Sequence, residues 1–531
     1  STSAHPQFDG VAVRVRSRAV SDGRLRVALA YPRGHDIRIK NTPPLDWSEP
    51  ASHQTESTPR GAQRVDFERQ RDEMKYHATL TWSEGTVLNA GDSSHTFVLE
   101  ARPTAETLEF QLFFAPAALP IELPNGAATR TAAAAHWNAF WKLGGAVDFT
   151  GSTDPRAAEL ERRIVLSQYL TAVQFGGPTP PAETGLTASS WYGKHHTEMV
   201  WWHMAHFALW GREHYVENAL DWFARILPHA REVARSRGLP GARWSKMVGP
   251  DGRESPGGVP FIIWNQPHPI ALAELLYRAA PTRETLERWQ DVVFESAECM
   301  AAMVTWNEAH QRFDLDPPLW LAQEIYPWRT AGNPTFELAY WAHALSVAQQ
   351  WRERLGLARR EDWDERIEKL APLPVRHGRY VALGSEPDTW DNIESRRDHP
   401  TMLAPFGLLP GGRWIDRATM QHTLEGVINE WQWEAKIWGW DYPMIAMTAA
   451  RLGETQHAVD ILLKDAPNNR YTISGHCPQR RDLAVYLPAN GSLLLAVAMM
   501  AAGWEGAPEH AAPGFPREGW TVRAEGLRRY P

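Results

Sequence analysis

SLLLAVAMMAAGW, residues 492–504, is apolar nearly all round. A helix without a polar face has to be buried on both sides. Working back through the chain, it is the last of twelve helix-like stretches. They run over 155–175, 195–209, 213–237, 266–280, 282–306, 333–355, 360–370, 399–407, 416–430, 442–452, 454–465 and 489–502. Asp154-Pro155 opens the first as an N-cap followed by a proline, which suits a first helical turn. Alternation of all-apolar and amphipathic helices predicts an inner and an outer ring. The expectation is an (α/α)6 barrel over residues 151–505. A superhelical array would instead show a fixed-period repeat, and none is seen.

Upstream, the period changes from helical to two. VAVRVRSRAV (11–20), LRVALAYPRG (25–34), YHATLTWSEG (76–85), HTFVLEARP (95–103) and LEFQLFFAPA (108–117) alternate between turn signals. This predicts an antiparallel β-sandwich over residues 1–125. It is small for a complete sandwich, which leaves room for residues upstream of Ser1. An Ala-rich helical linker is expected over 126–150, packing Trp137, Phe140 and Trp141 on the next domain, and a Pro-, Gly- and Arg-rich tail over 506–531. The whole is therefore an α+β multidomain chain.

Bulk properties exclude several functions. The 531 residues carry a formal net charge of -8 without charged runs, so no concentrated basic face exists for nucleic acid. No apolar run of about 18 residues is available to span a membrane. Cys299 and Cys477 are too few for a disulfide framework; they are two buried thiols or one bridge. The start STSAHPQFDG has neither Met nor a leader. A periplasmic or secreted location follows if a leader has been removed, and a cytoplasmic one otherwise. Oligomeric state is not readable.

The 26 Trp, against 13 Tyr and 17 Phe, are the strongest functional signal. They cluster with His, Asn, Asp and Glu in loop-like segments, which favours an aromatic-lined cleft over a core with bulky filler. The densest stretch is SWYGKHHTEMVWWHMAHFALWGR, residues 190–212, with Trp191, Lys194, His195, His196, Trp202 and one carboxylate, Glu198. Indole covers the C–H face of a sugar ring while polar neighbours meet its hydroxyls. The apolar walls around Glu198 disfavour its ionised form, as a proton donor requires. The competing role is a salt bridge to Lys194 one helical turn back. His203 and His206 have i,i+3 spacing but no H-E-x-x-H arrangement, so structural histidines are expected and no metal.

Further polar loops precede the buried helices and are expected to share one rim. GGVPFIIWNQPHP holds Trp264 and Gln266, a stacking platform with an amide or a helix cap. GSEPDTWDNIESRRDHP holds Trp390, Asp391, Asp398 and His399, which would hold sugar hydroxyls or serve as solvated charge. NEWQWEAKIWGWDYP holds Glu434, Trp438, Trp440 and Asp441; NNRYTISGHCPQRRDLAVYLPANG holds Arg470 and His476 in a basic lip. GGPTPPAETGLTASSWYGKHH and DLDPPLWLAQEIYPWRTAGNP complete the rim.

With this layout, SWYGKHHTEMVWWHMAHFALWGR, NQPHPIALAELLYR, NPTFELAYW, WGWDYPMIAMTAARLG and YLPANGSLLLAVAMM resemble bacterial six-hairpin glycosidase-like proteins related to glycoside hydrolase family 65. The resemblance implies a carbohydrate-active (α/α)6 barrel without a cofactor, acting on an oligosaccharide or glycoside. In such enzymes the general acid is a Glu at the start of an inner helix, a position Glu198 matches. The partner base lies near the tenth or eleventh helix, where Asp441 and Glu434 are the candidates. Asp441 is also a good helix N-cap. Phosphorylases of the group place phosphate where hydrolases place that base. TEMVWWH departs from the Trp-Asp-x-Glu segment of maltose phosphorylases, so substrate specificity does not carry over. The expected reaction is hydrolysis of a terminal linkage with inversion. Phosphorolysis on the same fold and non-catalytic glycan binding are the alternatives.

Overall fold

The computed structural model describes residues 1–33, 47–103, 105–120, 122–188, 190–255, 260–434 and 437–531, and for Tyr192 the backbone alone. Parts of LRVALAYPRG, GGVPFIIWNQPHP and WQWEAK lie outside the described residues. The chain forms two compact units, Ser1–Leu143 and Gly144–Pro531.

The first unit is built of β1 (Thr2–Ala4), β2 (Gly10–Arg16), the one-turn helix α1 (Arg18–Ser21), β3 (Arg26–Ala30), β4 (Gln54–Pro59), β5 (Arg64–Arg71), β6 (Met74–Trp82), β7 (Thr86–Ala90), β8 (Thr96–Ala101), β9 (Thr107–Ala115) and α2 (Gly126–Lys142). Six strands pair antiparallel in the order β1-β2-β9-β6-β5-β4, and three in the order β3-β8-β7. Alternation puts Val65, Phe67, Ala78, Leu80 and Leu112 of the larger sheet on one face. They share a core with Leu99 of the smaller sheet and Tyr31, which follows β3. VAVRVRSRAV does not stay extended to its end: Ser17 accepts a hydrogen bond from the Ala19 N–H and starts α1. The Ala-rich helix expected as a linker is α2, capped by Asn125 and packed on β1, β2 and β9 of its own unit.

The second unit opens with β10 (Ala146–Asp148). Its helices are α3 (Ala157–Phe175), α4 (Val200–Leu209), α5 (Glu213–Ser236), α6 (His268–Ala279), α7 (Arg283–Ala302), α8 (Thr335–Arg354), α9 (Glu361–Lys369), α10 (Arg417–Glu430), α11 (Asp441–Leu452), α12 (Thr455–Leu462) and α13 (Leu487–Ala502). The remaining expected helix, 399–407, is instead a 3-10 run over Thr401–Phe406 with Pro405 inside it. Proline has no N–H to continue an α-helical ladder.

Among the described residues, α4, α6, α8, the Thr401–Phe406 run, α11 and α13 pack in succession, and α13 closes back on α4. The remaining helices lie against this ring: α3 on α13, α5 on α4 and α6, α7 on α6 and α8, α9 on α8, α10 and α12 on α11. Every residue of α13 except Ala502 is buried, as its all-apolar sequence requires. Gly491 lets α13 approach α4, because a Cβ there would run into the Trp202 carbonyl oxygen.

Two boundaries differ clearly from the periodicity reading. Residues 195–199 are not helical; β11 (His195–His196) pairs with β12 (Met247–Val248) and α4 starts at Val200. The helix expected to reach 306 ends at Ala302, and Thr305–Asn307 pairs with Arg312–Asp314. The tail returns to its unit: Arg523–Glu525 pairs with β10, and the buried Tyr530 donates to the Leu408 carbonyl at 2.6 Å. Both cysteines are free and buried.

Candidate active site

Glu198 sits in the turn between β11 and α4, and that turn is locked from four sides. The Thr197 N–H donates to the Lys246 carbonyl at 2.8 Å, and its hydroxyl to that of Ser245 at 2.8 Å. Asn265 Nδ2 donates to the Thr197 hydroxyl at 2.7 Å, and His268 Nε2 lies 2.9 Å from the Glu198 carbonyl oxygen. The β11–β12 pairing brings Lys246 beside Glu198.

Lys246 Nζ lies 3.1 Å from Glu198 Oε1 and 2.5 Å from Glu324 Oε1. On the other side, His196 Nδ1 contacts Glu183 and lies 3.7 Å from Glu198 Oε1. Glu183, His196, Glu198 and Lys246 are buried. Glu324 keeps 39% of its side-chain surface open. It is the member of this array that a molecule arriving from solvent meets first.

Proximity shifts the two carboxyls in opposite directions. Burial opposes ionisation of Glu198, but the Lys246 ammonium and His196 outweigh it and hold the carboxyl below its usual range. The apolar surroundings legible in the sequence do not decide the matter; the cation just before β12 does. For Glu324, enclosure by protein and repulsion from Glu198 outweigh Lys246 and push the carboxyl up. Burial lowers His196, yet Glu183 and Glu198 raise it to about 9. Lys246 likewise stays an ammonium despite burial, held by Glu198 and Glu324. The expected alternative partner of Glu198, Lys194, is replaced in that role by Lys246.

A second array surrounds His399. Its Nδ1 lies 2.9 Å and 3.0 Å from the two oxygens of Asp441, and its Nε2 is 3.4 Å from Asp398. Asp441, the first residue of α11, also accepts the Trp438 N–H at 2.8 Å and is fully buried. Burial raises the Asp441 carboxyl even against His399. His399 is raised to about 9, burial being outweighed by Asp441 and Asp398. The imidazole stacks on Trp440, with centroids 4.2 Å apart. The charge on His399 is also felt at Glu324, which links the two arrays. Glu434 sits in an exposed turn outside both.

The aromatic residues divide into two sets. Trp202, Trp264 and Trp440 form a buried stack, with Trp440 5.3 Å from Trp202 and 6.0 Å from Trp264. They build the wall behind His399 rather than an open platform. Trp191 and Trp438 are only partly buried and lie 6.4 Å apart. Trp191 also contacts His196 at 5.2 Å, and the Arg480 guanidinium lies 5.4 Å from the Trp438 ring.

Other sequence candidates have local partners. Gln266 is buried, donates to the Ala242 carbonyl at 2.8 Å and accepts the Trp244 N–H at 3.0 Å. Trp390 donates to the Tyr380 carbonyl at 3.0 Å, and Asp391 pairs with Arg376 at 2.8 Å. Arg470 pairs with Asp465 at 2.8 Å on the surface, and His476 lies 3.2 Å from the Ser474 hydroxyl. His195 is lowered to about 4 by burial, with its ring 6.2 Å from Trp222. Lys194 is partly exposed beside it. His203 is pushed down by burial and His206 to about 3, so both are neutral core residues.

Sequence reading missed Lys246, Glu183 and Glu324. The two glutamates lie in polar loops that were expected to share the rim, in PPAETG and LAQEIYP. Lys246 lies just before the short strand β12, in a segment without any such signal. Glu183, His196 and Glu198 also present ligand-type atoms within 4.8 Å of one another. They are already balanced by the Lys246 ammonium and the raised His196. A cleft of about 660 Å³ along the start of α3, lined by Asp154, Glu161, Arg162 and Ile473, contains neither array.

No protein-family profile matches the chain, and no curated protein matches it in sequence. Solved structures do. A protein provisionally named kojibiose phosphorylase, from the human microbiome, is similar over 96% of this chain and 76% of its own, with a TM-score of 0.65 and 9% identity. It shares the fold. A glycosidase variant in complex with glucose matches over 64% of this chain and 97% of its own, with a TM-score of 0.49 and 14% identity. A family GH92 inverting mannosidase from Bacteroides thetaiotaomicron matches over 88% and 68%, with a TM-score of 0.38 and 10% identity.

Proposed function

We propose that the chain is a six-hairpin glycoside hydrolase whose helical unit is an (α/α)6 barrel, cleaving a terminal linkage of an oligosaccharide or glycoside. The closed succession of six inner segments supports the barrel. The observation that carries the chemistry is the Glu198–Lys246–Glu324 array, in which two neighbouring carboxyls are shifted in opposite directions, Glu198 down and Glu324 up. Glycoside hydrolysis needs such a pair.

Glu324 is the proton donor: it is raised, and it is the carboxyl open to solvent. Glu198 is the permanent anion that takes the proton of the attacking water. Asp441 is a positioning residue, holding His399 as a cation against the sugar side of the site, and Trp191 with Trp438 supplies the stacking surface. Inversion requires carboxyls about 6.5–9.5 Å apart. The shared ammonium, at 3.1 and 2.5 Å, holds their near oxygens closer than that. On the inverting reading the two carboxyls therefore have to move apart when substrate enters. Phosphorolysis is the second reading, favoured by the cations Lys246, His196 and His399 in one region.

The test is a panel of disaccharides and aryl glycosides incubated with and without inorganic phosphate. Hydrolysis without phosphate, with an inverted first product, is expected. Glu324→Gln and Glu198→Gln should each lower kcat by about 10²- to 10⁴-fold while remaining folded. Release of a sugar 1-phosphate only when phosphate is present overturns hydrolysis. A retained product makes Glu198 a nucleophile, and an active Glu324→Gln removes it as the acid.

A further inference from the structure

We propose that Glu337, in the first turn of α8, is a positioning residue that fixes the backbone carrying Glu324. The inference rests on the reading of Glu324 as the proton donor. Glu337 is fully buried, and its Oε1 accepts the Ala322 N–H at 2.7 Å. Ala322 is two residues before Glu324. The same segment is tied at its other points. The Trp320 N–H donates to the Phe261 carbonyl at 2.7 Å, Trp320 Nε1 to the Glu324 carbonyl at 2.9 Å, and Gln323 Nε2 to the Ser395 carbonyl at 2.6 Å. Each of these ties runs to a loop or a short 3-10 turn, or stays within the segment. Glu337 alone of these partners anchors it to a helix of the inner ring.

A carboxyl is an unfavourable choice for a purely structural anchor. Its Oε2 is buried without a hydrogen-bond partner among the described residues, and burial makes the charged form costly. A neutral acceptor, or an apolar side chain with a repacked loop, would cost less. What the carboxyl does provide is a rigid acceptor at the start of α8, aimed at the one N–H that sets the direction of the next two residues. Glu324 must reach Lys246 at 2.5 Å from this segment. A small rotation about Ala322 would move its carboxyl out of that contact.

Three variants separate positioning from packing. Glu337→Gln keeps an oxygen acceptor, Glu337→Met keeps length and apolar volume without one, and Glu324→Gln tests the underlying reading. Hydrogen exchange of the peptide covering 319–326 needs no substrate. Exchange should quicken by about tenfold or more in Glu337→Met and stay near wild type in Glu337→Gln. On the panel glycoside that the wild type cleaves, Glu337→Met should lose about 10- to 100-fold in kcat with KM little changed. Glu337→Gln should rescue most of that loss. Thermal unfolding should show Glu337→Met at least as stable as wild type. Wild-type exchange and kcat in Glu337→Met overturn the proposal, as does a kcat loss that follows a loss of stability. An active Glu324→Gln sinks the catalytic reading instead, and the exchange result still reports whether Glu337 holds the segment.

Discussion

Glu198 and Glu337 are both buried glutamates next to the start of an inner-ring helix, and their carboxyls go opposite ways. Glu198, before α4, faces Lys246 and His196 and is held below the usual range against its burial. Glu337, in α8, meets only backbone N–H donors among the described residues, and burial raises it to about 7. Burial is common to both; the neighbouring cation is not. Burial alone therefore does not make a proton donor, and a donor here is better sought where enclosure is combined with a neighbouring anion, as at Glu324.

Removing the cation should break the contrast most. Lys246→Met leaves Glu198 and Glu324 without their shared partner, and a loss of about 3–5 kcal/mol near neutral pH is expected from urea unfolding. The sign of the pH dependence should change with it. In the wild type Glu198 is depressed, so its contribution is present above the unfolded carboxyl pKa and fades as pH falls through the folded value. In the variant, Glu198 should behave like Glu337 and weaken the fold as pH rises. Unfolding midpoints from pH 4 to 8 with the same slope in both proteins would refute this account.

Glu337 supplies the converse. Its folded value, about 7, lies above the ordinary 4.5. The unfolded chain therefore binds fewer protons between those limits, and stability declines as pH rises through them, by about 1.4 kcal/mol per pH unit at most. Glu337→Gln should remove that slope. A difference between variant and wild type that is constant from pH 5 to 8 would show that Glu337 does not titrate there.

A smaller change is expected from Asp441→Asn. His399 should move from about 9 toward 6.5, read from its imidazole resonances, because its anionic partner becomes neutral. An unmoved resonance would assign the raised value to Asp398 instead. Smallest of all is Glu434→Gln, an exposed turn position, with stability within about 0.5 kcal/mol and unchanged kcat. A dead Glu434→Gln would place the base there and undo the pairing of Glu198 with Glu324.

Much of the architecture was legible because it depends on local periodicity. Alternation marked the strands that carry Leu80, Leu99 and Leu112, and all-apolar spacing marked α13 as an inner segment. The misreadings are where a local rule met a nonlocal partner. KHHTEM reads as helix by spacing, yet His195 and His196 find Met247 and Val248 and become a strand. HPTMLAPF reads as helix until Pro405 breaks its ladder. Trp264 and Gln266 read as a binding platform because they sit in a polar loop, but the fold turns both inward, where Gln266 serves backbone groups.

By itself, the sequence determined the succession of sheet and helix, the burial of α13, and the polar loops that hold Glu198, Glu183, Glu324 and His399. Those features follow from residues a few positions apart, whose side chains share a face by geometry alone. The tertiary structure decided in which direction each carboxyl is shifted. Lys246 and Glu324 are 78 residues apart and meet only across packed elements. Electrostatic energy depends on distances of a few ångströms in a poorly screened interior, and residue order along the chain does not encode those distances.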